Sequence, residues 1–551
     1  MDETFDIPTS GGRRWTSGAR WLVLAAAALL FTLIQVRFSF DQYRLAQAPF
    51  YDDVVYFCDA LARLDVLYNQ GCAPMLRTFI AIPAHSPYST IMALLGFLIF
   101  GIKDWAPYMM NCLLVLALLA CVDYLMRGTK IWQRLLVCLI VLCIPLSGIM
   151  VLDCRPDLAW GLAAAMAVLL PLRGPFVGAP RRYQLAAGIW CAAALICKPT
   201  ICPLTLFSVG IAWIAATICD RLADPEHFSF KRVRTAWLFA ILPVIVLASP
   251  VYFNARDILD YIHLSLHGPG PNFWGSPKTT RDKILFYVSG FAGDQMFHHQ
   301  LHLILIVLAL GAIVVIWRAI RDGNPARVRL YRMIALGLIC FITWLIPTLL
   351  DVANPFFGTQ FQTLMILGMV LVLRMLLIHA KGLATKGFAI AFLLLCTWGA
   401  IQNASFVVPW RVPPALARNN AKVLHDVEQV LLHHAATDDH VFFTATGWLN
   451  CRTMQYVLRQ DGTMVQTTDS AFSVDPKLLW ARMNWADFIV ASESGVTEFD
   501  TRQPGLPFDQ SLQLARQRKD FVQIAAVPCE TGKRFFIFQR TRPLLPQDLT
   551  E

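Results

Sequence analysis

The chain has 551 residues, is 56% hydrophobic and 15% charged, and carries a net charge of +10. A soluble protein of this size would carry roughly 25% charged residues, so a purely soluble fold is excluded. The basic excess lies mostly in short loops between apolar runs, where it sets membrane orientation, and this excludes nucleic acid as a partner.

The first apolar run, Trp21 to Val36, follows Arg13, Arg14 and Arg20. Arg37 and Phe38 come directly after it, with no small-residue cleavage site, so it reads as an uncleaved anchor with a cytoplasmic N-terminus. Basic loops then recur along the chain. They hold Arg127, Lys130 and Arg134; Arg173, Arg181 and Arg182; Arg221, Lys231, Arg232 and Arg234; residues 318–332; and Lys381 with Lys386. All are assigned to the cytoplasm. The first outer loop (37–86), the acidic stretch 153–157, Lys198 and the loop 253–300 then fall outside. That parity demotes residues 88–101, "YSTIMALLGFLIFG", to a re-entrant segment. About eleven spans remain, beginning near residues 20, 105, 132, 158, 183, 200, 235, 299, 331, 359 and 387.

Beyond residue 406 the composition becomes that of a soluble domain. Leu416, Val423, Leu424, Val427, Val430 and Leu431 follow helical spacing. Residues 441–443, 488–490, 521–524 and 535–538 read as strands. The expected architecture is a polytopic α-helical membrane domain (1–406) followed by an extracytoplasmic α/β domain (411–551).

Fifteen cysteines are present, most of them inside spans as small apolar fillers. Cys58 with Cys72, and Cys451 with Cys529, share outer segments where an oxidising compartment permits disulfides.

Three groups of residues carry potential chemistry. Asp52 and Asp53 are flanked by Phe50, Tyr51, Val54, Val55 and Tyr56, which place them at the membrane interface. A carboxylate there can take the proton of a hydroxyl as it attacks an electrophile. Asp153, Arg155 and Asp157 stand at the mouth of a span, and the planar fork of Arg155 suits a phosphate. Lys198, in Cys-Lys-Pro-Thr between two spans, either snorkels to the interface or holds an anionic headgroup. An acid, a phosphate grip and a lipid setting on one side of the membrane point to chemistry on a lipid-linked phosphate. The stretch 351–360, "DVANPFFGTQ", is short and polar between two spans.

The order of these features resembles the GT-C superfamily of membrane glycosyltransferases, which includes protein O-mannosyltransferases, lipid A aminoarabinose transferases and oligosaccharyltransferase catalytic subunits. After the first span come Asp52-Asp53 with Tyr56 and Ala60 beyond. His85-Ser-Pro-Tyr88 then leads into a short apolar helix, where many relatives carry His-Pro-Pro. Asp153-Cys-Arg-Pro-Asp157 follows a hairpin. The resemblance covers roughly residues 15–400. The chain lacks the Trp-Trp-Asp signature of the oligosaccharyltransferases, and Asp-Asp stands where many mannosyltransferases have Asp-Glu.

The resemblance implies inverting transfer of a sugar from a polyprenyl-phosphate donor to a hydroxyl of a glycan, lipid or protein acceptor. Asp52 and Asp53 are the catalytic candidates. Tyr56, His85, Asp153, Arg155, Asp157 and Lys198 are the substrate-binding candidates. No cofactor is required by the resemblance, and a divalent metal is left open because only some relatives use one. The implied location is the bacterial inner membrane, with the C-terminal domain periplasmic or extracellular. Two other readings compete with this one. An O-antigen ligase or polymerase would place its working Arg and His residues in a large late outer loop such as 253–300, which carries His263, His267, His298 and His299, and would not need Asp52 or Asp53. A non-enzymatic transporter would show charges near mid-span and two similar halves.

Overall fold

The computed structural model describes residues 17–49, 52–81, 86–267, 279–350, 354–380, 382–405, 411–444, 448–469, 476–493, 508–529 and 532–541. These divide into two compact units. One comprises residues 1–35, 76–89 and 108–407; the other comprises 36–75, 90–107 and 408–551. Residues 36–75 thus group with the C-terminal residues.

The chain is an integral membrane protein. Among the described residues nine helices are long and apolar enough to cross a bilayer, or ten when a bent pair is taken as one span. Eleven were expected, and each expected position is helical. The span expected near residue 183 is Arg181–Cys197, which has only 17 residues, about 26 Å of helix. The span expected near residue 132 breaks into Ile131–Leu142 and Pro145–Leu152, bent by 68°. Pro145 has no amide proton to continue the first helix and suits the first position of the second. The demoted segment is the 14-residue helix Pro87–Phe100, about 21 Å long against a hydrocarbon core of about 30 Å.

The bundle is organised around the helix Pro156–Arg173, which is buried from Pro156 to Leu172. Its alanines and Gly161 let neighbouring backbones approach closely, the device that replaces hydrophobic driving force inside a membrane. A Cβ on Gly161 would lie 2.9 Å from the backbone of Thr359. Gly188 plays the same part between Arg181–Cys197 and Phe230–Ala248, where a methyl would strike the carbonyl of Ala240.

The second unit contains a five-stranded sheet. Its strands are β1 (His440–Phe443), β2 (Gln466–Asp469), β3 (Phe488–Ser492), β4 (Phe521–Pro528) and β5 (Arg534–Arg540), in the order β2-β1-β3-β5-β4. β1 runs parallel to β2 and β3, while β5 is antiparallel to β3 and β4. Phe442, Ile489, Ala491, Phe536 and Phe538 supply the core together with Met483 and Leu512 from flanking helices. The helix Pro414–His434 buries Val423, Leu424, Val427 and Leu431 as expected, while Leu416, expected on the same face, is exposed. β2 was not foreseen, since its sequence, Gln-Thr-Thr-Asp, has no apolar alternation. As an edge strand it pairs only with β1 and needs none.

Candidate functional site

In the bundle unit four segments distant in sequence converge. Asp153 ends the helix Pro145–Leu152, and Arg155 is the residue just before Pro156–Arg173. Asp153 Oδ1 accepts the backbone amide of Arg155 at 3.1 Å and lies 3.3 Å from its Nε. Asp157, in the first turn of that helix, favours its positive end and pairs with the Nζ of Lys198. All four side chains are largely buried.

Both cations also lie over aromatic rings from the stretch 351–360. The guanidinium of Arg155 is 4.5 Å from the Phe356 centroid, and Lys198 Nζ is 5.0 Å from that of Phe357. Such contacts fix the cations in place and strengthen when desolvated. The hydroxyl of Thr359 lies 2.9 Å from the carbonyls of both Asp157 and Phe356, joining the two helix starts. Asn111 Nδ2 donates to the carbonyl of Val151 at 2.9 Å and holds the turn from behind. The fourth segment is 86–89. Ser86 Oγ donates to the carbonyl of Cys197 at 3.1 Å, next to Lys198. The hydroxyl of Tyr88 is buried and has no hydrogen-bond partner among the described residues. His85 lies outside the described residues.

The arrangement holds two cations, two carboxylates and a helix N-terminus in a nearly dry place. Each carboxylate offsets the cost of burying its cation. An anion that displaced or shared these partners would meet two preorganised cationic donors and the positive end of a helix dipole.

In the second unit Asp52 and Asp53 open the helix Asp52–Gln70. Asp52 is exposed. Asp53 is buried, and its Oδ2 accepts from the Nη2 of Arg44 at 2.9 Å. Tyr56, one turn on, is buried as well. Further along, Asp59 pairs with Arg63 at 3.1 Å and accepts the hydroxyl of Thr90 at 2.7 Å.

The C-terminal helices scaffold this acid-bearing segment. Asn420 donates to the side-chain oxygen of Gln47 at 3.3 Å, and Thr453 donates to the carbonyl of Pro49, also at 3.3 Å. Arg459 donates to the carbonyl of Cys58 at 3.1 Å. Phe57 packs edge-on against Phe97 at 5.8 Å and lies 5.7 Å from Tyr456. Tyr456 and Gln460 donate to Asp104 at 2.8 and 3.0 Å. Burial nevertheless holds the Asp104 carboxyl above its usual range, against the pull of those two donors.

Neither cysteine pair expected from sequence is bridged, and none of the fifteen cysteines is in a disulfide. Cys58 lies on the buried face of its helix, its thiol 3.3 Å from the carbonyl of Arg452, while Cys72 is exposed. Burial pushes the Cys58 thiol up to about 12.

Among the described residues no three His, Cys, Asp or Glu side chains converge in a way that would hold a metal ion. In loop 253–300, His298 lies 3.2 Å from Asp294 and stacks on His299, and His263 is exposed on the helix Ala255–His267. His267 lies outside the residues whose side chains are described.

Sequence reasoning missed Arg44, Phe356, Phe357 and Thr359. The only sign of the last three was a short polar stretch between two spans.

No family model matches the chain, and no curated protein matches it in sequence. Solved structures do. ArnT from Cupriavidus metallidurans bound to undecaprenyl phosphate is similar at a TM-score of 0.57 and 11% identity, over 95% of this chain and 98% of that one. The same protein in its apo state gives 0.57 and 12% over the same shares. An oligosaccharyltransferase from Archaeoglobus fulgidus gives 0.45 and 12%, over 85% of this chain and 68% of that one. Over nearly its whole length the chain therefore has the fold that its motifs resemble, that of the GT-C membrane glycosyltransferases.

Proposed function

We propose that this chain transfers a sugar from a polyprenyl-phosphate donor to a hydroxyl acceptor, with inversion, at the extracytoplasmic face of the membrane. The observation that carries the reading is the buried group of Arg155 and Lys198, each stacked on a phenylalanine beside a helix N-terminus. The fold is shared with an ArnT solved with undecaprenyl phosphate bound, which supports a lipid phosphate as the ligand of that group.

In this mechanism Asp52 takes the proton of the acceptor hydroxyl. The oxygen forms a bond to the anomeric carbon from the face opposite the phosphate. The bond from that carbon to the phosphate oxygen breaks, and the phosphate leaves with the electron pair. Arg155 and Lys198 stabilise the charge it gains. The exposure of Asp52 supports its role as base, while the burial of Asp53 against Arg44 supports a positioning role. Asp153 and Asp157 keep the cations oriented and neutralised until the donor arrives. No step is routed through a metal.

The test compares lipids and envelope glycans from cells with and without the chain by mass spectrometry. Loss of the chain should leave a polyprenyl-phosphate sugar unconsumed and one glycan or lipid lacking that sugar. Identical profiles would remove the proposal and turn attention to loop 253–300.

A further inference from the structure

The helix Pro156–Arg173 begins at the candidate site and ends in a different cluster, about 24 Å further along its axis. There Arg127 and Arg173 stack on the ring of Tyr124, each with its guanidinium carbon 4.5 Å from the centroid. Arg374 reaches the same place, donating from Nε to the carbonyl of Arg127 at 2.8 Å. On the neighbouring side Asp123 pairs with Arg20 at 3.4 Å and with Arg134. Five guanidinium groups thus gather at this end of the bundle, and two of them, Arg20 and Arg134, pair with the carboxylate of Asp123.

A positive-inside charge bias alone does not require this geometry. Topological arginines extend into water, whereas these are half-buried and fixed on an aromatic ring. Arg173 Nε is buried with no hydrogen-bond partner among the described residues. A buried cationic donor left unpaired is costly, and an anion at the cluster would relieve that cost.

We infer that the arginine cluster around Tyr124 is a binding site for the phosphate of an anionic membrane lipid. Guanidinium forks match phosphate oxygens, and the charge excess favours a headgroup with net negative charge. The surroundings favour a lipid over a soluble phosphate. Arg20, Asp123 and Arg134 line a small cleft together with the apolar side chains of Leu24, Ile131 and Leu135, so the charged group borders an apolar surface. Trp21 and Trp132, both exposed beside it, mark the level of an interface. Basic pockets between membrane helices hold phospholipid headgroups on the cytoplasmic side elsewhere.

Native mass spectrometry of the full chain, released from detergent with phosphatidylglycerol or phosphatidylcholine added, tests this. The wild type should retain phosphatidylglycerol and not phosphatidylcholine. R127Q/R173Q should retain about fivefold less or lower still, since each basic residue near a leaflet contributes severalfold. Excess inorganic phosphate should leave the retained lipid in place. Equal retention by wild type and variant, or no preference for the anionic lipid, overturns the proposal. Displacement by inorganic phosphate overturns the lipid as occupant. If R127Q/R173Q does not elute as a folded species, R173K takes its place. It keeps the charge but loses the fork, so its retention should fall part of the way, and unchanged retention overturns the proposal.

Discussion

The two groups of charged residues use burial in opposite ways. In the bundle unit, Asp153, Arg155, Asp157 and Lys198 are all withdrawn from solvent, and opposite charges are matched one to one. In the other unit the adjacent acids are split: Asp53 is buried on Arg44, and Asp52 is left exposed in the first turn of its helix. A matched, dry pair of cations is held in place, and an anion would share or displace their carboxylate partners. An exposed carboxylate beside a rigidly held neighbour is accessible to a hydroxyl. The contrast parallels the two proposed roles, holding a phosphate and taking a proton, and it can be broken at several points.

The largest effect on stability should come from Arg44→Met. It leaves the Asp53 carboxylate buried without its partner, a change that costs about 3–5 kcal/mol. Thermal unfolding of the purified chain would show it, and a melting temperature close to wild type would mean that Asp53 is not held as described. Arg155→Ala should weaken donor binding by about 1.5–3 kcal/mol, the worth of a hydrogen bond to a charged group. The expected sign is a raised donor KM with little change in the pH profile of transfer. Gly161→Ala tests the close approach that sets Thr359 against Asp157, since its methyl must displace the Thr359 backbone. Overpacking of this kind costs about 1–3 kcal/mol, readable as a lowered melting temperature with a secondary loss of donor affinity.

The smallest effect concerns pH. The Asp104 carboxyl, held high by burial, binds its proton more tightly when folded than when unfolded. Its contribution is therefore fully present below the unfolded value of about 3.9 and declines as pH rises through the folded one. Asp104→Asn should flatten that part of the stability profile of the acid-bearing unit. An unchanged slope in a melting series would show that Asp104 does not carry it.

The sequence made some of this legible and hid the rest for physical reasons. Among the described residues hydropathy located each long apolar helix, because the bilayer forces long apolar runs to satisfy their own backbone. The bend at Pro145 and the 17-residue helix Arg181–Cys197 depend on local geometry that hydropathy averages away. Asp153, Arg155, Asp157 and Lys198 could be picked out because their charges sit directly against apolar runs with little polar sequence around them. Phe356 and Phe357 could not, because aromatic residues beside a span are ordinary, and their partners lie about 160–200 residues away in sequence. Arg44 looked like one more loop cation until the chain folded back onto Asp53. Asp123, Asp220 and Arg332 are buried at the ends of membrane helices. Asp220 joins Arg332 to the backbone amides of Phe176 and Val177. The transporter reading expected charges near mid-span, and these stand at span ends instead.

The central claim is that an exposed carboxylate at the start of Asp52–Gln70 is the base for sugar transfer. Transfer from a polyprenyl-phosphate sugar, measured in membranes for the wild type, Asp52→Asn and Asp53→Asn at matched expression, tests it most directly. The account predicts that Asp52→Asn lowers the rate by a factor of about 10² to 10⁴ without moving the melting temperature. Asp53→Asn should lower the rate less and the melting temperature more. Wild-type rates in both variants would contradict it.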